Sequence, residues 1–207
     1  MKGQSRQRSL RSAVLLLIVL SSVLFGVHRW WRSRPVSHGS GMVAPSVPRQ
    51  EMIEGGIPFS HKDYLITPLA TFWVEARVLS TKRYRSGRES DLSPVDLALG
   101  WGPMSDEAVL EHIEIGQTSR FYFWRTEHIP VPPELVAISS ANMHLIPARN
   151  DVARQVGRAR RGSIVVMRGY LVQVDGRDGW QWRSSLTRTD TGAGACEIVW
   201  VEDFQIL

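Results

Sequence analysis

Apolar positions fall into three kinds of pattern along the chain. Residues 12–27 (SAVLLLIVLSSVLFGV) form one uninterrupted uncharged run. Residues 71–79 alternate, with Phe72, Val74, Ala76 and Val78 on one side and Thr71, Glu75 and Arg77 on the other, which predicts a half-buried strand. Strand-like runs recur at 113–124, ending in Phe121-Tyr122-Phe123-Trp124, and at 163–174. A turn at Asp175-Gly176-Arg177-Asp178-Gly179 then leads into Trp180-Gln181-Trp182. The last strand, 196–206, is predicted to carry Ile198, Trp200 and Phe204 on one face. Helical signals are short. Ser93-Pro94-Val95-Asp96 reads as a cap, a first-turn proline and an acid, with Gly100 as the stop. A second helix is expected from Ser105, where Asp106 and Glu107 suit the positive end of the helix dipole and Val109, Leu110 and Ile113 form a stripe. Asn150 opens a third through about Ala159, with Val152, Val156 and Ala159 inward. Strands outnumber helices and do not alternate with them regularly, so a doubly wound sheet is not expected. The predicted fold is mainly β with inserted short helices (α+β): a small antiparallel curved sheet or partly open barrel, plus one N-terminal transmembrane helix.

The first run sets the organisation of the chain. Sixteen uncharged residues span about 24 Å as a helix, short of a bilayer core of roughly 30 Å. Trp30 and Trp31 extend the segment with interfacial side chains, and Arg11 and Arg29 can snorkel. A cleaved signal peptide would end in small residues, but Val27 runs straight into His28-Arg29-Trp30-Trp31-Arg32, so an uncleaved signal anchor is expected over 12–31. Lys2, Arg6, Arg8, Arg11 and the α-amino group on one flank outweigh Arg29, Arg32 and Arg34 on the other. This predicts a cytoplasmic N-terminus and an extracytoplasmic, periplasmic bulk. Residues 32–56, rich in Pro, Gly and Ser, read as a linker. Residues 57–207 read as a single globular domain that buries enough surface to need no staple.

Charge then changes meaning. The chain carries +5 overall, a value that by itself points toward nucleic acid. Residues 1–56 hold eight basic and two acidic residues, and residues 57–207 hold 17 basic and 18 acidic. The excess flanks the apolar run, and the domain is close to neutral, which removes the electrostatic case for a nucleic-acid partner. A single cysteine, Cys196, excludes an intrachain disulfide and a cysteine-based zinc site.

Candidate chemistry is sparse. Asp190-Thr191-Gly192-Ala193 has the triplet of a retropepsin-like protease, but the preceding Ser184-Ser185-Leu186-Thr187-Arg188-Thr189 is polar and too little chain follows. Gly192-Ala193-Gly194 lacks the lysine and following helix of a phosphate loop. Cys196 with His144 as base, oriented by Asp96 or Asp190, would make a thiol nucleophile, and His144 with Asp190 is a second catalytic pairing. His112, His128 and His144 are evenly spaced but form no metal-ligand unit, so no metal or cofactor is expected. Trp180 and Trp182 near Arg183 and Arg188 read as core packing or as the wall of a binding groove.

Three stretches carry a resemblance: Asp96-Leu97-Ala98-Leu99-Gly100-Trp101-Gly102, Ala141-Asn142-Met143-His144-Leu145-Ile146-Pro147-Ala148, and Ser184-Ser185-Leu186-Thr187-Arg188 through Cys196-Glu197. They are similar to segments of bacterial single-pass membrane-anchored proteins of unassigned function, over roughly 70–207. The resemblance implies a shared fold and brings no activity. The polar residues in and beside these stretches, Asp96, Asn142, His144, Ser185, Arg188, Asp190 and Glu197, are the expected ligand-binding set. The expected function is a membrane-anchored binding or assembly module of the bacterial envelope, held in the inner-membrane bilayer by residues 12–31, with an envelope protein or small ligand as partner. The alternative is an envelope hydrolase or transferase using His144 with Cys196 or Asp190.

Overall fold

A computed structural model describes residues 17–27, 34–128, 130–188 and 195–207. Met1–Arg34 and Pro35–Leu207 are separate compact units. In the first, helix α1 (residues 17–27) lies within the expected anchor and exposes Leu17, Ile18, Val19, Leu20, Val23, Leu24, Phe25 and Val27. Among the described residues no helix is long and apolar enough to cross a membrane.

The second unit is mainly β with a few short helices. Its organising element is β3 (Tyr64–Arg83), 20 residues long. One edge of β3 pairs with β8 (Ile164–Gly176) from Tyr64 to Arg77. Its other edge pairs in turn with β2 (Phe59–His61), β1 (Arg49–Met52) and β4 (Val95–Gly100). β4 pairs with β7 (Ser140–Pro147), β7 with β10 (Glu197–Ile206), and β10 with β8. The pairings therefore return to β3 and close a circuit of five strands. β9 (Gln181–Arg183) extends β8 on the outside. Register breaks at Pro68/Ala70 and Val78/Ser80 bend β3 from one neighbour to the next. Inside the circuit lie Phe72, Val74, Ala76, Val78, Leu97, Leu99, Met143, Leu145, Val165, Met167, Leu171, Val199, Val201 and Phe204, all buried.

The expectation of a purely antiparallel sheet is corrected by β7 and β10, which run parallel. Parallel neighbours need a crossover, and here it runs through α5 (Asn150–Val156), β8 and β9. The helix expected from Ser93 is likewise overturned. Residues 95–100 are β4 and every one is buried, so apart from Asp96 the strand is apolar on both faces and shows no sustained alternation. The helix of this region, α2 (Arg88–Leu92), precedes it. The run at 113–124 is a hairpin, β5 (Glu114–Thr118) and β6 (Phe121–Arg125). Ser119 and Arg120 turn it with φ of 48° and 69°, without the Gly or Asn that usually marks such a turn. In β10 the irregularity between Val201 and Asp203 shifts the phase by one residue, so Phe204 joins the inner core while Ile198 and Trp200 face outward.

α3 (Glu107–Leu110) does begin at the expected acidic turn, with Asp106 accepting a capping bond from the Ala108 N–H at 2.9 Å. α4 (Pro133–Ile138) has no counterpart in the sequence reading.

The stretch read as a linker is in part held against the domain, with Ala44 buried although most of its described residues are exposed. Besides supplying β1, it bonds Val36 N–H to the Arg161 carbonyl at 2.9 Å and Ala44 N–H to Ser105 Oγ at 3.1 Å. Glu107 Oε2 accepts from Ser37 Oγ, His38 N–H and Gly39 N–H at 2.7–3.0 Å. Outside β1 the arm lacks periodicity because its backbone is satisfied by scattered side-chain and backbone partners of the domain.

Candidate functional site

Two polar clusters meet at the N-terminal end of β7. Even-numbered residues of β4 and β7 face away from the core: β4 turns Asp96 outward, and β7 turns Asn142 and His144 outward, with Asp96 opposite His144 in the pairing. The β5–β6 hairpin covers them and turns Arg120 inward.

In the first cluster Asp96 is fully buried. Its Oδ1 accepts from Arg120 Nη1 at 2.7 Å and from Ser93 Oγ at 3.3 Å. Its Oδ2 stands 3.0 Å from His144 Nδ1 without a hydrogen bond between them. Arg120 also donates to the Ser93 carbonyl at 2.9 Å, and its guanidinium stacks 3.9 Å over Tyr84. Trp182 closes the cluster, its ring 4.9 Å from that of His144. Burial raises the Tyr84 phenol above its ordinary value, against the lowering effect of the Arg120 N–H that bonds it. The arrangement is a buried polar knot, in which the Arg120–Asp96 pair pins the hairpin to the sheet and Asp96 Oδ2 and His144 Nδ1 make no hydrogen bond.

The second cluster borders a cleft of about 610 Å³. Its walls are Phe121–Trp124 of β6, Ala137 and Ile138 of α4, Ser140–Asn142 of β7, and the chain at Thr187, Arg188 and Ala195–Glu197. The Tyr122 hydroxyl and Ser140 Oγ are bonded at 2.6 Å. Burial raises the Tyr122 phenol, against the lowering effect of that bond, so it is neutral at physiological pH. Asn142 is fixed on both sides, accepting from Gln117 Nε2 at 2.6 Å and donating to the Arg120 carbonyl at 2.9 Å. The Arg120 carbonyl thus joins the cleft to the buried knot. Arg188 pairs with the buried Glu197 at 3.0 Å, donates to Gln50 Oε1 at 2.6 Å and lies over Phe72. Positive charge at the cleft is therefore compensated, and its exposed faces are aromatic and aliphatic: Phe121, Phe123 and Ile138.

Of the expected ligand-binding set, Asn142, Arg188 and Glu197 reach the cleft. Asp96 and His144 belong to the buried knot. Ser185 is buried, its hydroxyl accepting from Thr187 N–H at 3.1 Å. Asp190 lies outside the described residues, as do Thr191–Gly194 of both the protease-like triplet and the glycine-rich loop. Cys196 lines the cleft with Sγ 3.7 Å from the Arg120 carbonyl, whereas His144 is held by Asp96 and Trp182. The two share no cleft wall and no hydrogen bond among the described residues. His112 and His128 border a different depression, with Glu111, Glu114 and Glu127. Among the described residues no three ligating side chains converge as for a metal ion. Trp180 and Trp182 are half-buried and take Arg88 and Arg120 as cationic neighbours, not Arg183 or Arg188.

Gln117, Arg120 and Tyr122 were not singled out in the sequence. The aromatic run Phe121-Tyr122-Phe123-Trp124 was the available signal, and it was hidden by the unmarked turn before it. Comparison of the chain with known protein families, with curated proteins and with solved structures finds no match.

Proposed function

We propose that the protein is a binding or assembly module of the bacterial envelope, anchored in the inner membrane by residues 12–31, with a periplasmic C-terminal domain and no chemistry of its own. The carrying observation is the cleft. Three stretches far apart in sequence supply Asn142, Tyr122 and the Arg188–Glu197 pair to one concavity, whose size falls within the range of roughly 300–1,000 Å³ usual for ligand sites. Among the described residues Tyr122 is tied to Ser140, Asn142 to Gln117 and Arg188 to Glu197, and His144 does not line the cleft beside Cys196, which favours binding over catalysis. The closed strand circuit supports the finer reading of the fold as a small, partly open barrel, an architecture that OB-folds use to hold ligands on one face, although fold alone assigns no ligand. The apolar surface of α1 on all sides supports the anchor.

Two measurements in cells test this. An impermeant maleimide should label the sole cysteine, Cys196, in intact spheroplasts, and labelling only after lysis would reverse the topology. A photo-crosslinking residue at Phe123 or Ile138 should give discrete adducts that the same group at Lys82, an exposed residue of β3, does not give. Equal patterns at all three sites would remove the cleft as the binding site.

A further inference from the structure

Resting on the reading of the cleft as a binding site, we infer that its occupant is an extended peptide segment of a partner protein, added as a strand to the free edge of β6. In the β5–β6 hairpin a two-residue turn makes Thr118 and Phe121 a hydrogen-bonded pair. Alternation then makes Gly116 with Phe123 and Glu114 with Arg125 hydrogen-bonded pairs as well. The backbone N–H and C=O of Tyr122 and Trp124 consequently point away from β5. Among the described residues β6 pairs with no other strand, and no backbone bond reaches Tyr122 or Trp124 from the remaining elements.

This free edge is the cleft wall, because all four consecutive residues Phe121–Trp124 line it. The opposite wall is also strand edge. β10 pairs with β7 only from Met143 onward, so Ser140–Asn142 have no ladder on that side. A four-residue edge accommodates an extended segment of about 13 Å. Unpaired strand edges are templates for a further strand, and in that mode backbone bonds supply affinity while alternate side chains supply specificity.

The side chains around the edge define the peptide. Phe121, Phe123 and Ile138 are each more than a third exposed and ask for apolar residues at every second position. Phe123 is held in place by Gly116, where an added Cβ would stand 2.6 Å from its ring. Arg125 is neutralised by Glu114 and Arg188 by Glu197, which leaves the exposed Glu134 as the uncompensated charge of the cleft wall among the described residues. The complementary segment therefore alternates apolar residues and carries one Lys or Arg.

The full chain in lipid nanodiscs, panned against a random decapeptide display library, tests the inference. Selected peptides should alternate apolar residues and include a basic one. Phe123→Asp and Ile138→Asp should each weaken the best peptide roughly tenfold or more, and Glu134→Lys should reverse the preference for a basic residue. Single backbone N-methylations of that peptide should weaken binding roughly tenfold at every second amide and leave the intervening amides within about twofold. Binding that depends on Phe123 but ignores the methylation register would overturn strand addition and leave the cleft as a binding site. Failure to select any peptide that the Phe123→Asp variant does not also select overturns the peptide proposal, and the adducts at Phe123 and Ile138 then decide separately whether the cleft binds anything. Concentration-dependent self-association that is abolished by Phe123→Asp would assign the edge to a second copy of this chain and overturn the proposal as well.

Discussion

At the scale of single residues, the Asp96 carboxylate is a charge buried in the domain. It is fully buried, so its charge is tolerated only through Arg120, whose side chain keeps a small exposed fraction. Arg120 in turn sits at φ 69°, a conformation that L-residues avoid. The buried pair and the guanidinium–Tyr84 stacking hold that strained turn in place. Arg120→Met should therefore destabilise the domain by about 3–5 kcal/mol, because it leaves a buried charge without its partner. Adding Asp96→Asn to Arg120→Met should recover part of the loss, since the remaining amide carries no charge to strand. Urea denaturation of the double variant and both single variants beside the parent measures this. A double variant as unstable as the sum of the single ones would mean that the two side chains act independently.

At the scale of elements, the N-terminal arm is held by acceptors whose strength depends on pH. Three donors of the arm converge on Glu107, with Arg77 at 3.3 Å. The His38 backbone N–H bond, followed by Ser37 and Arg77, lowers the Glu107 carboxyl from 4.5 to about 2. A carboxyl lowered in the folded state contributes stability that is complete above its unfolded value and is lost as pH falls toward the folded one. The arm should thus be secure above about pH 4.5 and should loosen between there and about pH 2. The His38 and Gly39 amide resonances should follow that titration, and in Glu107→Gln they should be flat across it. This arm also marks the limit of what was legible in the sequence. Periodicity exposed β3, β8 and α5, whose burial follows the expected repeat. It missed the arm, β4, whose single polar residue Asp96 sits in an otherwise apolar run, and β7, whose alternating Ser140, Asn142 and His144 are buried on the outward face along with the apolar residues between them.

At the scale of the whole molecule, the site was only partly legible because it depends on closure of the strand circuit. Asn142 and Cys196 are 54 residues apart and approach only because β10 returns beside β7. The β5–β6 hairpin supplies the remaining wall, and nothing near Asn142 in sequence announces it. Closure in turn depends on how tightly β8 and β10 approach. At Gly169 an added Cβ would lie 1.8 Å from the Trp200 carbonyl oxygen and 2.9 Å from its carbon. Both obstacles are backbone, so no rotamer change relieves them, and the two strands would have to separate. Gly169→Ala should cost at least the upper part of the roughly 1–3 kcal/mol typical of overpacking. It should also open the cleft, since Glu197 and Cys196 lie at the start of the displaced strand. Gly55→Ala is the matched control. Its φ of 67° strains any side chain, but nothing stands within 4 Å of the added Cβ, so only a conformational cost of about 1 kcal/mol applies. Thermal denaturation should rank Gly169→Ala well below Gly55→Ala, and Cys196 should react faster with maleimide only in the former. Equal stability of the two variants would show that β8 and β10 can part at Gly169 without loss, and that the circuit is not what holds the cleft together.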